Sequence, residues 1–507
     1  MNRYRVAMLL LVNLVAAAPV AAQPVPIIFP GMHAPGTSEN FGNALAFPPV
    51  AAGHSIAVAA QTGSFKSGVW ELNGDTLTKV ELAGDAVSGL PGATYNGIAQ
   101  GLSINQSGNV AFTIDMINAP SLFAVASNAG GSLQLVARSA TAAPGSSGNF
   151  ASFDQPIITN NGNVAFRASL SGGSSGSGIW TTGFGPGITL VGRDGSAIPG
   201  GGTLSSVFDS APPAAASSGV SFQANANPGT LDTVWAFNAT GLQPIASEHG
   251  AAPGVAGATF SFFHPPTYND AGQVAFQANL VGNPTFNAIF RDLGQGLQVV
   301  AGNGLPAPSI AGAKFGGLDQ PAMNGSGTIA FTGYLDSFSV PTNTGLNGIW
   351  TISPNGQINE VARQGNAVPD LPGNTFGVGF QQFAISNTGQ LAWYGSMNGA
   401  SNYALFAQDP LGHIHTLVQR GQTFQVLGLS HTVNSIYLAD DVNGTSGQSV
   451  NESWTSNGRL VYRLTFTDGT SGIFYSTVPE PATWALVVAA VPLAYLACRG
   501  SRRARRA

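Results

Sequence analysis

The chain has 507 residues, and charged residues make up only 8% of it, against about a quarter in an ordinary soluble domain. Gly (67) and Pro (32) fill about a fifth of the positions while 44% are hydrophobic; apolar core material is present but cut into short pieces by turn formers, which points to an all-β fold and away from disorder. The single cysteine, Cys498, excludes a disulfide framework and a cysteine-based zinc site.

Residues 1–22 read as a secretory signal peptide. Arg3 and Arg5 precede an apolar run from Val6 to Ala18, and the small residues Val20-Ala21-Ala22 place cleavage after Ala22. The run is shorter than the ~20 residues of a membrane helix, which disfavours a retained span.

From 23 to 477 one unit is written eight times. Its clearest copies are INQSGNVAF (104–112), ITNNGNVAF (158–166), YNDAGQVAF (268–276), MNGSGTIAF (323–331) and ISNTGQLAW (385–393). Weaker copies are VAAGHSIAV (50–58), AASSGVSF (215–222) and WTSNGRLVY (454–462). The motif position falls at Gly53, Gly108, Gly162, Ser218, Gly272, Gly327, Gly389 and Gly458, so successive gaps are 55, 54, 56, 54, 55, 62 and 69. A period this steady is the signature of a repeat architecture.

Each unit predicts the same parts in the same order. A segment of type F-x-x-F/x-x-P comes first. A turn follows, in which Asn105, Asn269 or Asn324 bonds its own backbone and the glycine three residues on permits positive φ. A strand of period two comes next, with Val164, Phe166, Ala168 and Leu170 on one face and Ala165, Arg167 and Ser169 on the other. Bulky and small faces of this kind suit stacked sheets. An apolar-aromatic pair marks a third strand: Val69-Trp70, Leu122-Phe123, Ile179-Trp180, Val234-Trp235, Ile289-Phe290, Ile349-Trp350, Leu405-Phe406 and Ile473-Phe474. A fourth strand, such as LQLVAR (133–138) or ITLVGR (188–193), closes the unit.

Four short strands in about 55 residues are one propeller blade. The eighth unit stops after its third strand, whereas VPIIFPGMHAPG (25–36) resembles the fourth-strand segments. The expected fold is therefore an eight-bladed β-propeller closed by its N-terminal strand. The rival, a linear tandem β-repeat array, would want polar capping repeats at both ends.

The motif resembles that of the NxxGxxAF tandem-repeat surface proteins. On that resemblance Asn105, Gly108, Phe112, Gly162, Phe166, Asn269, Gly272, Phe276, Asn324, Gly327, Phe331, Gly389 and Trp393 are structural repeat residues, and no catalytic residue carries over. Thr159, Ser386 and Thr455 replace the asparagine, and Val50 and Ala215 depart further, which predicts less well capped turns there.

Candidate chemistry is sparse, and no catalytic, cofactor or metal residues are assigned. Gly172-Gly173-Ser174-Ser175-Gly176 matches G-x-S-x-G but lies between strands, where a nucleophile elbow needs a strand-to-helix turn. Asp115, Asp154, Asp209 and Asp319 fall at comparable repeat places, which favours a structural use over paired-carboxylate glycoside hydrolysis. His413 and His415, two apart on a strand, face one way and lack an obvious third metal ligand. Asp440, Asp441, Asn443 and Gly444 resemble part of a calcium loop without its distal Glu. The stretch 421–457 reads as the longest irregular segment and the first choice for a specialised loop; the insertion at 336–347 comes second.

The C-terminus places Pro479-Glu480-Pro481 ahead of an apolar segment (482–498) and five arginines in the last nine residues. Seventeen apolar residues just span a thin bilayer as a transmembrane helix, with the basic end cytoplasmic. Residues 478–507 resemble the PEP-CTERM sorting signal of Gram-negative bacteria. That resemblance implies export through the Sec machinery, a transient inner-membrane anchor, cleavage by an exosortase near Pro479-Glu480-Pro481, and release to the cell surface or beyond, in association with exopolysaccharide or biofilm.

Without both ends the body holds 11 Lys and Arg against 22 Asp and Glu, a net of −11, which disfavours nucleic acid as a partner. The sequence thus predicts a secreted, non-enzymatic surface or matrix protein with glycan as leading partner. The alternative is an extracellular polysaccharide hydrolase or lyase on the same scaffold.

Overall fold

A computed structural model describes residues 23–478 apart from 45–46, 174–175, 208–212, 283–285, 343–344, 399–401 and 440–452. The Ala22 cleavage point, Asp209, Asp440 to Gly444 and everything from Pro479 onward lie outside the described residues. Among those described, no helix is long and apolar enough to cross a membrane.

The strands form eight small antiparallel sheets. Blade three shows the plan: an inner strand in two pieces, Asn149–Phe153 and Ile157–Ile158, then Val164–Ser171, Gly176–Thr181 and the outer strand Thr189–Arg193. The break in the inner strand falls at Asp154-Gln155-Pro156, because Pro brings no N–H to the ladder. Blades two and seven, without that proline, have continuous inner strands, Thr94–Ile104 and Phe376–Ile385.

Both faces of each blade are covered by its neighbours, so the core is divided among eight apolar clusters, one at each seam. The period-two pattern decides which residue enters which seam. Val164, Phe166, Ala168 and Leu170 pack with Ala111, Val125 and Ala137 of blade two. Ala165 joins Leu204, Val220 and Phe222 of blade four. Large side chains of one blade thereby meet the small face of the blade before it.

The ring closes as the sequence predicts. Val25–Ile28 pairs antiparallel with Ser471–Thr477, in the register Val25↔Tyr475, Pro26↔Phe474 and Ile28↔Ile473. The eighth blade therefore runs Leu429–Leu438, Arg459–Phe466, Ser471–Thr477 and then the N-terminal strand. Its seam with blade one packs Ile27, Ile28, Val461 and Ile473 against Phe41, Ile56 and Trp70. Arg459 Nη2 reaches Asp75 at 2.6 Å and Ser471 N donates to Asn43 Oδ1 at 3.0 Å across the same seam.

Two expectations about elements need correction. In blade two the third strand is Phe123–Ser127, and Phe112 pairs with Ala126, where Phe166 pairs with Trp180 in blade three. Leu122-Phe123 is thus three residues out of register and is exposed, at 62% and 38%. Tyr95 and Met116 are buried in this seam instead. The stretch 421–457 is not wholly irregular: Thr423–Val426 and Leu429–Leu438 form a hairpin whose second arm is the inner strand of blade eight.

Candidate functional site

Because neighbouring strands of a blade run antiparallel, all motif turns gather at one end of the ring and all loops between second and third strands at the other. The two ends carry different chemistry.

At the turn end the motif asparagines are 1% exposed and do two jobs. Asn105 Oδ1 accepts the N–H groups of Ser107 and Asn109 at 3.1 and 2.9 Å, which caps its own turn. Its Nδ2 donates to the carbonyl of Thr159, 2.9 Å away and one blade further on. Asn269 reaches Asn324 O at 3.1 Å, and Asn324 reaches Ser386 O at 2.9 Å. The hydroxyls of Thr159, Ser386 and Thr455 bond within their own turns. Ser386 and Thr455 keep the cap by accepting the N–H four residues on, Thr159 donates to Asn163 O while Asn161 Oδ1 takes the turn N–H, and no stitch to the next blade is made by the three hydroxyls. Gly108, Gly162, Gly272, Gly327 and Gly389 all have φ between +76° and +89°, the left-handed region that favours glycine. Phe112, Phe166, Phe276, Phe331 and Trp393 are fully buried.

The divergent turns are capped from outside, contrary to expectation. Gly53 N donates to Gln106 Oε1 at 3.0 Å and Ser217 N to Asp270 Oδ1 at 2.7 Å. Both acceptors belong to the next blade, at the position after its motif asparagine. The expected result of Asn269→Ser is a loss of about 1 kcal/mol, since the cap survives and one inter-blade bond goes. Asn269→Ala should cost roughly 2–3 kcal/mol through unpaired buried groups. Denaturant midpoints of the two variants check the order.

At the loop end two clefts lie at successive seams. The first, about 540 Å³ between blades four and five, is lined by Gln223, Asn225, Asp232, Glu248 and Phe262 among others. The second, about 700 Å³, runs from blade five across blade six to blade seven and includes His264, Gln277, Asn279, Asn287, Asp319 and Phe380. Neither lining contains Lys or Arg.

Burial raises the Asp232 carboxyl above its ordinary range despite bonds from Phe263 N–H and Gln223. Glu248 Oε2 accepts the N–H of Asp232 at 3.2 Å, so two carboxyl groups share this cleft. Burial lowers His264, against the pull of Asp232 and Asp319. Gln320 Nε2 lies 3.0 Å from His264 Nδ1; the amide N–H donates, which leaves the ring proton on Nε2.

The other candidates separate. Asp154 and Asp319 do share one repeat place, taking Arg167 Nε at 2.5 Å and Thr332 Oγ1 at 2.7 Å. Asp115 does not: it sits on the second strand of blade two, opposite Gly97 and Phe123. Of the G-x-S-x-G match, Gly172 and Gly173 follow the strand Val164–Ser171 and Gly176 opens the next one. His413 and His415 both face Asp409, at 2.9 and 3.5 Å, and His415 Nδ1 also meets Asp370 at 3.1 Å. The sequence reading missed this acidic partner, four residues before His413. Among the described residues no group of three or more such side chains is placed to hold a metal ion. Asp232 and Glu248 were also missed, because Asp232 has Asn287, not an acid, at its place in the next repeat.

Strand order, seams and closure define an eight-bladed β-propeller with a stitched turn end and, at the loop end, a pair of polar clefts with no Lys or Arg among their described lining residues. The chain belongs to DUF7453, a family of unknown function whose model matches residues 23–225 and 213–485. No curated protein matches it. Among solved structures it is similar to a puromycin-hydrolyzing peptidase of Mycobacterium tuberculosis, at 13% identity over 87% of this chain and 61% of that one, with a TM-score of 0.37. It is similar also to Saccharomyces cerevisiae Sqt1 (9% identity, 87% and 98% covered, TM-score 0.37) and to a family PL25 ulvan lyase (9%, 90% and 96%, 0.33). The chain spans about three fifths of the length of the puromycin hydrolases. No activity carries over at these identities.

Proposed function

We propose that this chain is an exported, non-enzymatic surface or matrix protein of a Gram-negative bacterium, sorted by an exosortase and associated with exopolysaccharide. The observation that carries the reading is the pairing of a leader ending at Ala22 with the Pro479-Glu480-Pro481, apolar and Arg-rich order at the other end. A rigid ring with little charge between them supports it. Neutral polysaccharide is held by hydrogen bonds and aromatic faces, which the loop end offers with no Lys or Arg among the described lining residues of the two clefts.

The sorting half of the reading is tested by mass spectrometry of protein shed from the producing cells. The expected result is no peptide from Ala482 onward, and retention in the inner membrane when the exosortase gene is deleted. Intact arginine tails outside the cell would overturn it.

One observation favours the second reading, a polysaccharide hydrolase or lyase: Asp232, whose carboxyl burial raises above its ordinary range, shares a cleft with Glu248. Both carboxylates are already engaged by backbone N–H groups, which is a structural use. Steady release of reducing ends that Asp232→Asn abolishes would establish the enzyme instead.

A further inference from the structure

The two clefts at the loop end are built to one plan. In blades four and five the residue after the buried aromatic is a glutamine, Gln223 after Phe222 and Gln277 after Phe276. Each amide N–H donates to a carbonyl of the following blade, Gln223 to Phe263 O at 2.7 Å and Gln277 to Leu318 O at 2.5 Å. Two residues further on stand Asn225 and Asn279, each paired in register with the residue near the start of the third strand, Asp232 and Asn287. The repeat thus places an amide and a second amide or carboxyl group on one wall of each cleft. The inner strand of the next blade supplies the opposite wall.

One of these groups has an unmet acceptor: Asn287 Oδ1, itself buried beneath the cleft wall, has no hydrogen-bond partner. His264, whose Nδ1 faces the Gln320 amide donor, keeps Nε2 as the donor it adds to the second cleft. An aromatic ring stands between the two: Phe262 is 45% exposed and lines the first cleft. Its edge meets His264 of the second cleft, with ring centroids 5.3 Å apart and planes at 90°. Volumes of about 540 and 700 Å³ lie within the ~300–1,000 Å³ of small-molecule sites.

We propose that these clefts are consecutive subsites for a neutral saccharide chain. This rests on the exopolysaccharide reading above and names the place and the ligand class within it. A sugar ring matches the lining: hydroxyls donate to the carboxylates and amide oxygens, ring and hydroxyl oxygens accept from His264 and the amides, and the C–H face lies on Phe262. Uronate polymers do not match, because their carboxylates would meet Asp232, Glu248 and Asp319 with no cation to offset the repulsion. Repetition at adjacent seams lets one chain engage both sites, the second as an intramolecular event.

The test is affinity electrophoresis of the intact chain through gels cast with dextran, galactomannan, cellulose ether or polygalacturonate. At least one neutral polymer should retard the protein and polygalacturonate should not. Asn225→Leu and Asn279→Leu, each filling one cleft, should each weaken retardation tenfold or more, and the double variant should abolish it. Phe262→Ala, at an exposed site that leaves the fold intact, should weaken it at both. Unchanged thermal melting shows that the variants are folded. Wild-type retardation that no variant reduces would overturn the clefts while leaving the exopolysaccharide reading in place. Preference for polygalacturonate would overturn the ligand class. If no neutral polymer retards the wild-type chain, the subsites fall, and the surface reading then stands or falls by the sorting experiment alone.

Discussion

Deleting Val25–Phe29 should open the ring and cost more stability than any point substitution in the body. The five residues bring Ile27, Ile28 and Phe29, exposed by 4%, 0% and 3%, into two different seams. Phe29 packs edge-on to His431, Phe466 and Phe474 at centroid distances of 4.8, 5.7 and 6.1 Å. At roughly 1.5–3 kcal/mol for each buried large apolar side chain, the loss is on the order of 6 kcal/mol before any hydrogen bond is counted. That is comparable to the whole stability of many folded domains, about 5–15 kcal/mol. Deletion also leaves Ser471–Thr477 as an uncovered edge, a template for pairing with another chain. The expected outcome is a melting transition lowered by tens of degrees, together with dimers or aggregates on size-exclusion chromatography. A deleted chain that stays monomeric and melts like the parent would mean that head and tail do not hold the circle. A gentler check is Val25→Cys with Tyr475→Cys: the two are register partners, so an oxidised bridge should form and raise the melting temperature.

Blade number, strand order and closure were legible because each rests on a periodicity. The 55-residue spacing counts the blades, period two assigns each side chain to a seam, and the missing fourth strand of the last unit asks for the first strand of the chain. The reading failed where one repeat broke its own pattern. In blade two the pair Leu122-Phe123 satisfies the composition of a third strand, yet Ala126 takes the place opposite Phe112. The shift of three exchanges the two faces of the strand: Ala124 and Ala126 enter the seam with blade one and Val125 the seam with blade three, and the bulk they lack comes from Tyr95 and Met116, which the apolar-aromatic pair does not announce.

The site was less legible, for a different physical reason. Hydrogen bonds between blades join residues from 31 to 54 positions apart and more, and no local pattern announces them. Asn105 reads as a turn cap from its neighbours in sequence; its donation to Thr159 O depends on how the next blade docks. The same holds for Gln106 and Asp270, which cap turns that seemed deficient. The paired clefts were accessible in principle, since Phe-Gln-Ala-Asn recurs at 222–225 and 276–279. What that recurrence lacked was the opposite wall, which the following blade provides.

The second large effect is one of pH, at the seam between blades one and two. Glu81, on the outer strand Thr76–Leu82, is 1% exposed and neither carboxyl oxygen has a hydrogen-bond partner. Burial first, and the charge of Asp85 second, push its carboxyl up to about 8 from an ordinary 4.5, against the attraction of Lys79. Lys79 itself is held by Asp85 at 2.8 Å. The folded state therefore keeps a proton that the unfolded chain releases above pH 4.5. Stability is whole below that value, falls by about 1.4 kcal/mol per pH unit as the pH rises, and is fully lost from this source once the pH passes about 8. The span amounts to several kcal/mol, large against the total for a single cooperative unit. Glu81→Met removes the titration while keeping nearly the same volume in a seam that already holds Val69, Val87 and Tyr95. The variant should match the parent near pH 4, within about 1.5 kcal/mol for a volume-conserving swap, and exceed it by several kcal/mol at pH 8. Denaturant midpoints measured for both chains at unit pH steps check the difference, in which every other titrating group cancels. Parallel curves would show that Glu81 is charged and solvated in the folded ring, and that this seam is looser than its burial implies.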